Sequence, residues 1–321
     1  MELIIQPKDG LTPLIVAIKK ATKQIEITIF RFDVKELQRA LESAVTRGVK
    51  VHALIAHTSN GGEKRLRKLE LELLDAGVTV SRTDDDLVRY HNKMVMIDGE
   101  TLYTLGFNFT KLDIEKSRSM GVATKSKVIV AEAVKLFQAD STRQPYTAGA
   151  DNFLVSPENS RTGLASFIKN AKKELLIYDM KISDRQMIKL LQERVKAGVD
   201  VRIIGKVSKK GEGLKAEKMP GLRLHLRAML RDGGDMFLGS MSLRAIELDK
   251  RREVGVIVKE RAAARQFREI FEEDWAKTES GKKSEKEKSE KEKSEKEKSE
   301  KEKSEKEKSK GEEKEPALAA S

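Results

Sequence analysis

His91-Asn92-Lys93-Met94-Val95-Met96-Ile97-Asp98 and His225-Leu226-Arg227-Ala228-Met229-Leu230-Arg231-Asp232 share one pattern: a histidine, a basic residue two positions on and an aspartate seven positions on. The chain has four histidines, His52, His57, His91 and His225, so half of them carry the pattern. Residues two apart on an extended strand face the same way. Each motif therefore predicts a strand that presents an imidazole and a cation to a single anion. The apolar residues that follow continue as a buried strand, and Asp98-Gly99 closes a turn.

The two motifs belong to a longer duplication. At an offset of 150, Ile18-Lys19-Lys20-Ala21 matches Ile168-Lys169-Asn170-Ala171, and Gly48-Val49-Lys50-Val51 matches Gly198-Val199-Asp200-Val201. Further on the offset shortens to 134, where Gly121-Val122 matches Gly255-Val256. Helical patterns over 11–22 and 34–47 alternate with apolar β-rich runs over 25–30 and 50–56, and 199–205 repeats the last of these. That alternation predicts an α/β fold. Two homologous halves are expected at 1–145 and 146–278. A helix over 63–76 is closed by Gly77; the corresponding stretch, 207–220, is richer in Gly and Lys and reads as a loop. From 279 to 321 the chain is low in complexity, with five tandem copies of SEKEK at 284–308. Those copies hold no apolar residue, so they cannot offset the entropy of ordering. The tail reads as disordered or transiently helical, with no catalytic role.

The 321 residues carry a net charge of +12, nearly all of it before the tail. A basic fold attracts polyanions, either nucleic acid or anionic lipid. There is no cysteine, which excludes disulfides and thiolate metal sites. The first residues lack a basic segment followed by a long apolar run, and no stretch is apolar enough to span a bilayer. The expectation is a cytoplasmic protein without a transmembrane segment.

After each motif come Leu105-Gly106-Phe107-Asn108-Phe109-Thr110 and Gly239-Ser240-Met241-Ser242. Taken together, the pattern resembles the HxKxxxxD…GSxN signature of the phospholipase D superfamily, over roughly residues 1–276. The resemblance implies two phospholipase D-like αβ halves about a pseudo-twofold axis, with both motifs in one site. It also implies covalent catalysis through phosphohistidine, one histidine attacking phosphorus and the other serving as acid and then base. The implied catalytic residues are His91, Lys93, His225, Arg227 and Glu253, with Asn108, Ser240 and Ser242 as substrate-binding groups and Asp98 and Asp232 as structural or orienting ones. No metal and no cofactor is called for. Because both motifs lie in one chain, a monomer is expected.

The chain departs from the signature at several points. Arg227 stands where a lysine is expected, Leu105-Gly106 where Gly-Ser is expected, and Ser242 where Asn is expected. The acidic residue that orients the imidazole is matched by Glu253, 28 residues after His225, while Ser119 stands at the corresponding place after His91. Glu253 thus favours His225 as nucleophile, whereas Lys93 and Asn108 favour His91. The preferred substrate is nucleic acid, since Phe107-Asn108-Phe109-Thr110 resembles the small nucleases of the superfamily and aromatic residues are sparse. A phosphatidyl hydrolase or transferase of the cardiolipin-synthase kind is the alternative, and an inactive polyanion-binding relative the third reading. His52 and His57 are expected to have no direct role, and Asp84-Asp85-Asp86 to form an exposed loop bordering the site.

Overall fold

A computed structural model describes residues 2–58 and 63–287, together with 290, 295, 296 and 300. The first half runs β1 (Glu2–Gln6), α1 (Thr12–Lys20), β2 (Gln24–Ile29), α2 (Lys35–Thr46), β3 (Lys50–Ile55), α3 (Glu63–Asp75), β4 (Thr79–Arg82), β5 (Arg89–Tyr90), β6 (Met94–Ile97), β7 (Thr101–Leu105), α4 (Lys111–Glu115), β8 (Ser117–Thr124) and α5 (Lys127–Thr142). The second runs β9 (Phe153–Ser156), α6 (Ser160–Lys169), β10 (Glu174–Ile182), α7 (Arg185–Lys196), β11 (Asp200–Val207), β12 (Lys215–Glu217), β13 (Arg223–Leu224), β14 (Arg227–Arg231), β15 (Asp235–Gly239), α8 (Ala245–Asp249), β16 (Arg251–Val258) and α9 (Arg261–Ala276).

Each half builds its own mixed sheet. The first has the order β1-β8-β7-β6-β2-β3-β4, and the second β12-β11-β10-β14-β15-β16, with β9 on the far side of β16. Position for position the two orders are the same. The halves differ at 207–220, where the expected loop is instead a single 3-10 turn (Lys209–Gly211) followed by the edge strand β12. There, α3 of the first half has no counterpart, which accounts for the shortening of the repeat.

Amphipathic helices cover the sheets. On α2, Leu37, Leu41 and Ala44 recur at helical spacing and are buried. On α7, Met187, Ile188 and Leu191 do the same, and the Asp184 side chain caps the helix by accepting from Gln186 N and Met187 N. Each fully buried leucine contributes about 1.5–3 kcal/mol. The apolar residues form two clusters, one per half.

The halves then exchange strands. The two-residue β5 of the first half pairs in parallel with β16 of the second, Tyr90 opposite Arg252, and β13 of the second pairs with β8 of the first, Leu224 opposite Arg118. Immediately after each exchanged strand comes a motif histidine. His91 N donates to Arg252 O at 2.8 Å, and His225 N donates to Arg118 O at 3.0 Å. Residues 1–272 accordingly form one compact unit. The remainder of the chain is a separate unit, in which 279–287 are helical. Most of the low-complexity tail predicted at 279–321 lies outside the described residues. Among the described residues no helix is long and apolar enough to cross a membrane.

Candidate active site

The exchange brings both motifs to one cleft of about 520 Å3, whose lining includes His91, Asn108, Asp113 and His225. The motif histidines are not on strands as the spacing predicts. His91, Asn92 and Lys93 lead into β6 outside any strand, and His225 and Leu226 precede β14. The same-side geometry nevertheless holds. Lys93 Nζ lies 2.8 Å from His91 Nε2 and donates to His91 O at 2.6 Å.

The carboxylate partners cross between the halves. His91 Nδ1 lies 2.9 and 3.1 Å from the two carboxylate oxygens of Glu253, a fully buried residue on β16. The expectation that Glu253 serves His225 is therefore wrong. Pairing of β5 with β16 carries position 253 next to the histidine of the other half. His225 has a partner that the sequence reading missed, Asp113. Its Oδ2 lies 3.2 Å from His225 Nδ1, near enough for an ion pair although the ring nitrogen is not aligned for a hydrogen bond. Asp113 also accepts from Asn108 N and Asn108 Nδ2 at 2.8 and 2.7 Å, and from Arg223 at 2.7 Å. A signal for it exists in the repeat: at the 134 offset Asp113 matches Glu247, and Glu247 accepts from Ser242 N at 2.7 Å as Asp113 does from Asn108 N.

Two basic side chains lie buried beside the histidines. Lys93 is 1% and Arg227 6% exposed. Arg227 Nε donates to Ser242 Oγ at 3.3 Å, and its Nη1 is buried without a partner. Ser240 is not in the cleft lining; its hydroxyl bridges Val254 N and Val254 O on β16 at 3.1 and 3.3 Å. The matching Gly106 has a steric reason. A Cβ there would lie 2.9 Å from Met120 O, because β8 passes against it. Asp98 and Asp232 sit at the far ends of their strands. Asp98 accepts from the backbone N–H groups of Thr22, Lys23 and Gln24, and Asp232 from those of Lys172, Lys173 and Glu174. Both fasten the helix-to-strand turn of their half.

Burial sets the ionisation of the site. His91 is held well below the usual imidazole range by burial, then by the charges of Lys93 and Arg227. Burial, followed by Arg227 and Lys93, does the same to His225. Burial brings Lys93 down to about 7 against the opposing pull of Glu253, and it pushes the Glu253 carboxyl up. Both imidazoles are thus neutral at neutral pH. With Glu253 on Nδ1 of His91, the proton sits there and the lone pair on Nε2.

His52 and His57 stand apart from the cleft lining. His52 Nε2 is hydrogen-bonded to Ser81 Oγ at 2.8 Å. Asp85 and Asp86 are exposed, and Asp86 accepts from Tyr90 Oη at 2.7 Å. Among the described residues no three His, Cys, Asp or Glu side chains cluster as metal ligands do.

Two sheets of equal order, exchanged strands and paired histidines define the bilobal architecture of the phospholipase D superfamily. The family described as "Cardiolipin synthase, PLD-like domain" matches residues 14–141 and 164–275, and the chain belongs to it. A mitochondrial cardiolipin hydrolase of Xenopus tropicalis is 28% identical over 148 residues, which cover 46% of this chain and 67% of that protein. Among solved structures, the polyphosphate kinase of Porphyromonas gingivalis superposes with a TM-score of 0.70 at 18% identity over 84% of this chain. The aligned part spans only 46% of the kinase. The phosphatidylserine synthase of Haemophilus influenzae Rd KW20 superposes with a TM-score of 0.62 at 12% identity, covering 84% of this chain and 85% of that one. At these identities the two structures share the fold.

Proposed function

We propose that the protein hydrolyses phosphodiesters through a covalent phosphohistidine on His91, with His225 as general acid and nucleic acid as substrate. The observation that carries this reading is the pair of histidines in one cleft, each with Nδ1 beside a carboxylate of the opposite half. The lone pair on His91 Nε2 attacks phosphorus. As the bond to the leaving oxygen breaks, His225 gives that oxygen its proton. His225, now neutral, takes a proton from water, which attacks the phosphohistidine and releases the phosphomonoester. Lys93 and Arg227 offset the charge that builds on the phosphoryl oxygens. The bound diester brings a negative charge among these cations and so raises the proton affinity of His225.

No step in this scheme calls on a metal. It makes 1–145 and 146–278 two halves of one catalytic unit, in a cytoplasmic monomer whose tail is dispensable for chemistry. Nucleic acid is favoured by the charge of +12 and by the arginines of the cleft wall. A second reading is hydrolysis or transfer of an anionic phosphatidyl group. Leu112, an exposed apolar residue on the cleft wall, supports it, as does the activity named for the cardiolipin hydrolase. The test is a panel of single-stranded DNA, RNA, phosphatidylglycerol vesicles and an aryl diester, with chelator present. Wild type is expected to cleave the single strands and the aryl diester, and His91→Ala and His225→Ala each to lose at least about 10²–10⁴-fold. Near wild-type turnover by either variant, or loss of wild-type activity on chelation, would overturn the scheme.

A further inference from the structure

Each half places an arginine two residues ahead of its histidine, Arg89 and Arg223, and both line the cleft. Their surroundings differ. Arg223 donates to Asp113 Oδ1 at 2.7 Å and to Ser117 Oγ at 2.9 Å. The carboxylate that would correspond for Arg89 is Glu247, and Glu247 is taken by Arg244 at 2.9 Å and Arg251 at 3.3 Å. Among the described residues, Arg89 has no carboxylate at ion-pair distance. Its guanidinium stands 5.3 Å from the centre of the Phe30 ring, with Arg31 at 5.8 Å and Lys93 at 5.4 Å from the same ring. Burial, then the charges of Arg251 and Arg31, hold Arg89 below the ordinary arginine range. Arg65, on the first turn of α3, is exposed and lines the same cleft. Asp33, an acid of the same lining, is exposed to solvent and accepts from Lys111 N through Oδ1 at 2.9 Å.

A partly desolvated guanidinium crowded by other cations costs the fold unless an anion joins it. The phosphoryl group under attack is served by Lys93, whose Nζ lies 2.8 Å from His91 Nε2, and by Arg227. We infer that Arg89, with Arg31 and Arg65, forms a second anion subsite on the first-half side of the cleft, which holds a phosphodiester next to the one cleaved. The inference rests on the phosphodiesterase reading above and deepens it. Its occupant is single-stranded nucleic acid, in which every internal phosphate has a charged neighbour. The subsite also explains the asymmetry: its three arginines all come from the first half, and the counterpart of Arg89 in the second half is tied to Asp113.

The test compares a dinucleoside monophosphate, which has one diester and no neighbour, with the trinucleotide that adds a second. Wild type is expected to favour the trinucleotide in kcat/KM by about tenfold or more, the worth of one charged hydrogen bond. Arg89→Gln, and Arg65→Gln at its exposed position, should each draw the ratio toward one. Each should also flatten the salt dependence of trinucleotide binding by about one phosphate contact. A wild-type ratio near one, or a ratio unmoved in both variants, would overturn the subsite. If the aryl diester is hydrolysed in that case, the two-histidine reading stands without the subsite. Tighter binding of the trinucleotide that both variants weaken, with no turnover of any diester, would keep the subsite and overturn the catalytic reading. Turnover of phosphatidylglycerol vesicles with no preference between the two nucleotides would overturn the subsite and favour the lipid reading.

Discussion

Replacing Glu253 with glutamine tests which histidine is the nucleophile. The substitution keeps the shape of a fully buried side chain and removes the charge that lies 2.9 Å from His91 Nδ1. In the proposed scheme the His91 ring passes from neutral imidazole to a cationic phosphohistidine during attack, so the carboxylate does most for the transition state and intermediate. A hydrogen bond to a charged group is worth about 1.5–3 kcal/mol, and losing it should slow phosphoenzyme formation by about 10–150-fold. Stability should fall much less, because burial disfavours the Glu253 carboxylate and a neutral amide escapes that penalty. The assay is single-turnover cleavage of an aryl diester, quenched and scored for phosphohistidine. An aryl oxygen leaves readily without a proton, so Asp113→Asn, which acts through His225, should leave phosphoenzyme formation from this substrate nearly intact. If Asp113→Asn slows that step more than Glu253→Gln does, the nucleophile is His225 and the roles must be exchanged.

On the aryl diester, whose leaving oxygen needs no proton from His225, Lys93, brought to about 7 by burial, should give kcat/KM an alkaline limb near pH 7 as its charge is lost, and neutral His91 should keep the acid limb well below 6.5. Lys93→Arg, which does not titrate in this range, should move the alkaline limb out of reach; an unchanged limb would clear Lys93 of that role. Because the unfolded chain holds the Lys93 proton up to about 10.5 and the fold only to about 7, this residue's contribution to stability should rise with pH between those values, and urea midpoints would show it. Arg252 is buried between Asp140 at 3.1 Å and Glu158 at 2.6 Å, so Arg252→Met should destabilise by about 3–5 kcal/mol in urea denaturation. Adding Asp140→Asn should recover part of that loss. A single-variant loss under 1 kcal/mol, the level of an exposed pair, would mean that the cluster is open to water.

What the sequence makes legible follows from what repeats. His91 and His225, the 134 offset and the alternation of helix and strand are local patterns, and each maps onto one sheet of the same strand order. What it hides is the exchange between the halves. The strands that perform it, β5 and β13, are two residues long and have no periodicity to read. Sequence proximity therefore assigns Glu253 to the histidine 28 residues before it, while the fold gives it to one 162 residues away. Asp113 is hidden for a different reason. An acid in the first turn of a helix is the ordinary partner of the helix terminus, and only its register with Glu247 marks it as more. The exchange also makes sense of the departure at Ser119. That residue follows Arg118, whose carbonyl oxygen receives His225 N, so a carboxylate there would face His225 as Glu253 faces His91. Ser119 leaves the place without a charge, its hydroxyl buried and unpaired, and Asp113 supplies the charge from α4 instead. A histidine gripped by both oxygens of Glu253 and one approached by a carboxylate already shared with Asn108 and Arg223 are not interchangeable. That inequality, more than either motif alone, is why His91 is the better candidate for the bond to phosphorus and His225 for the proton.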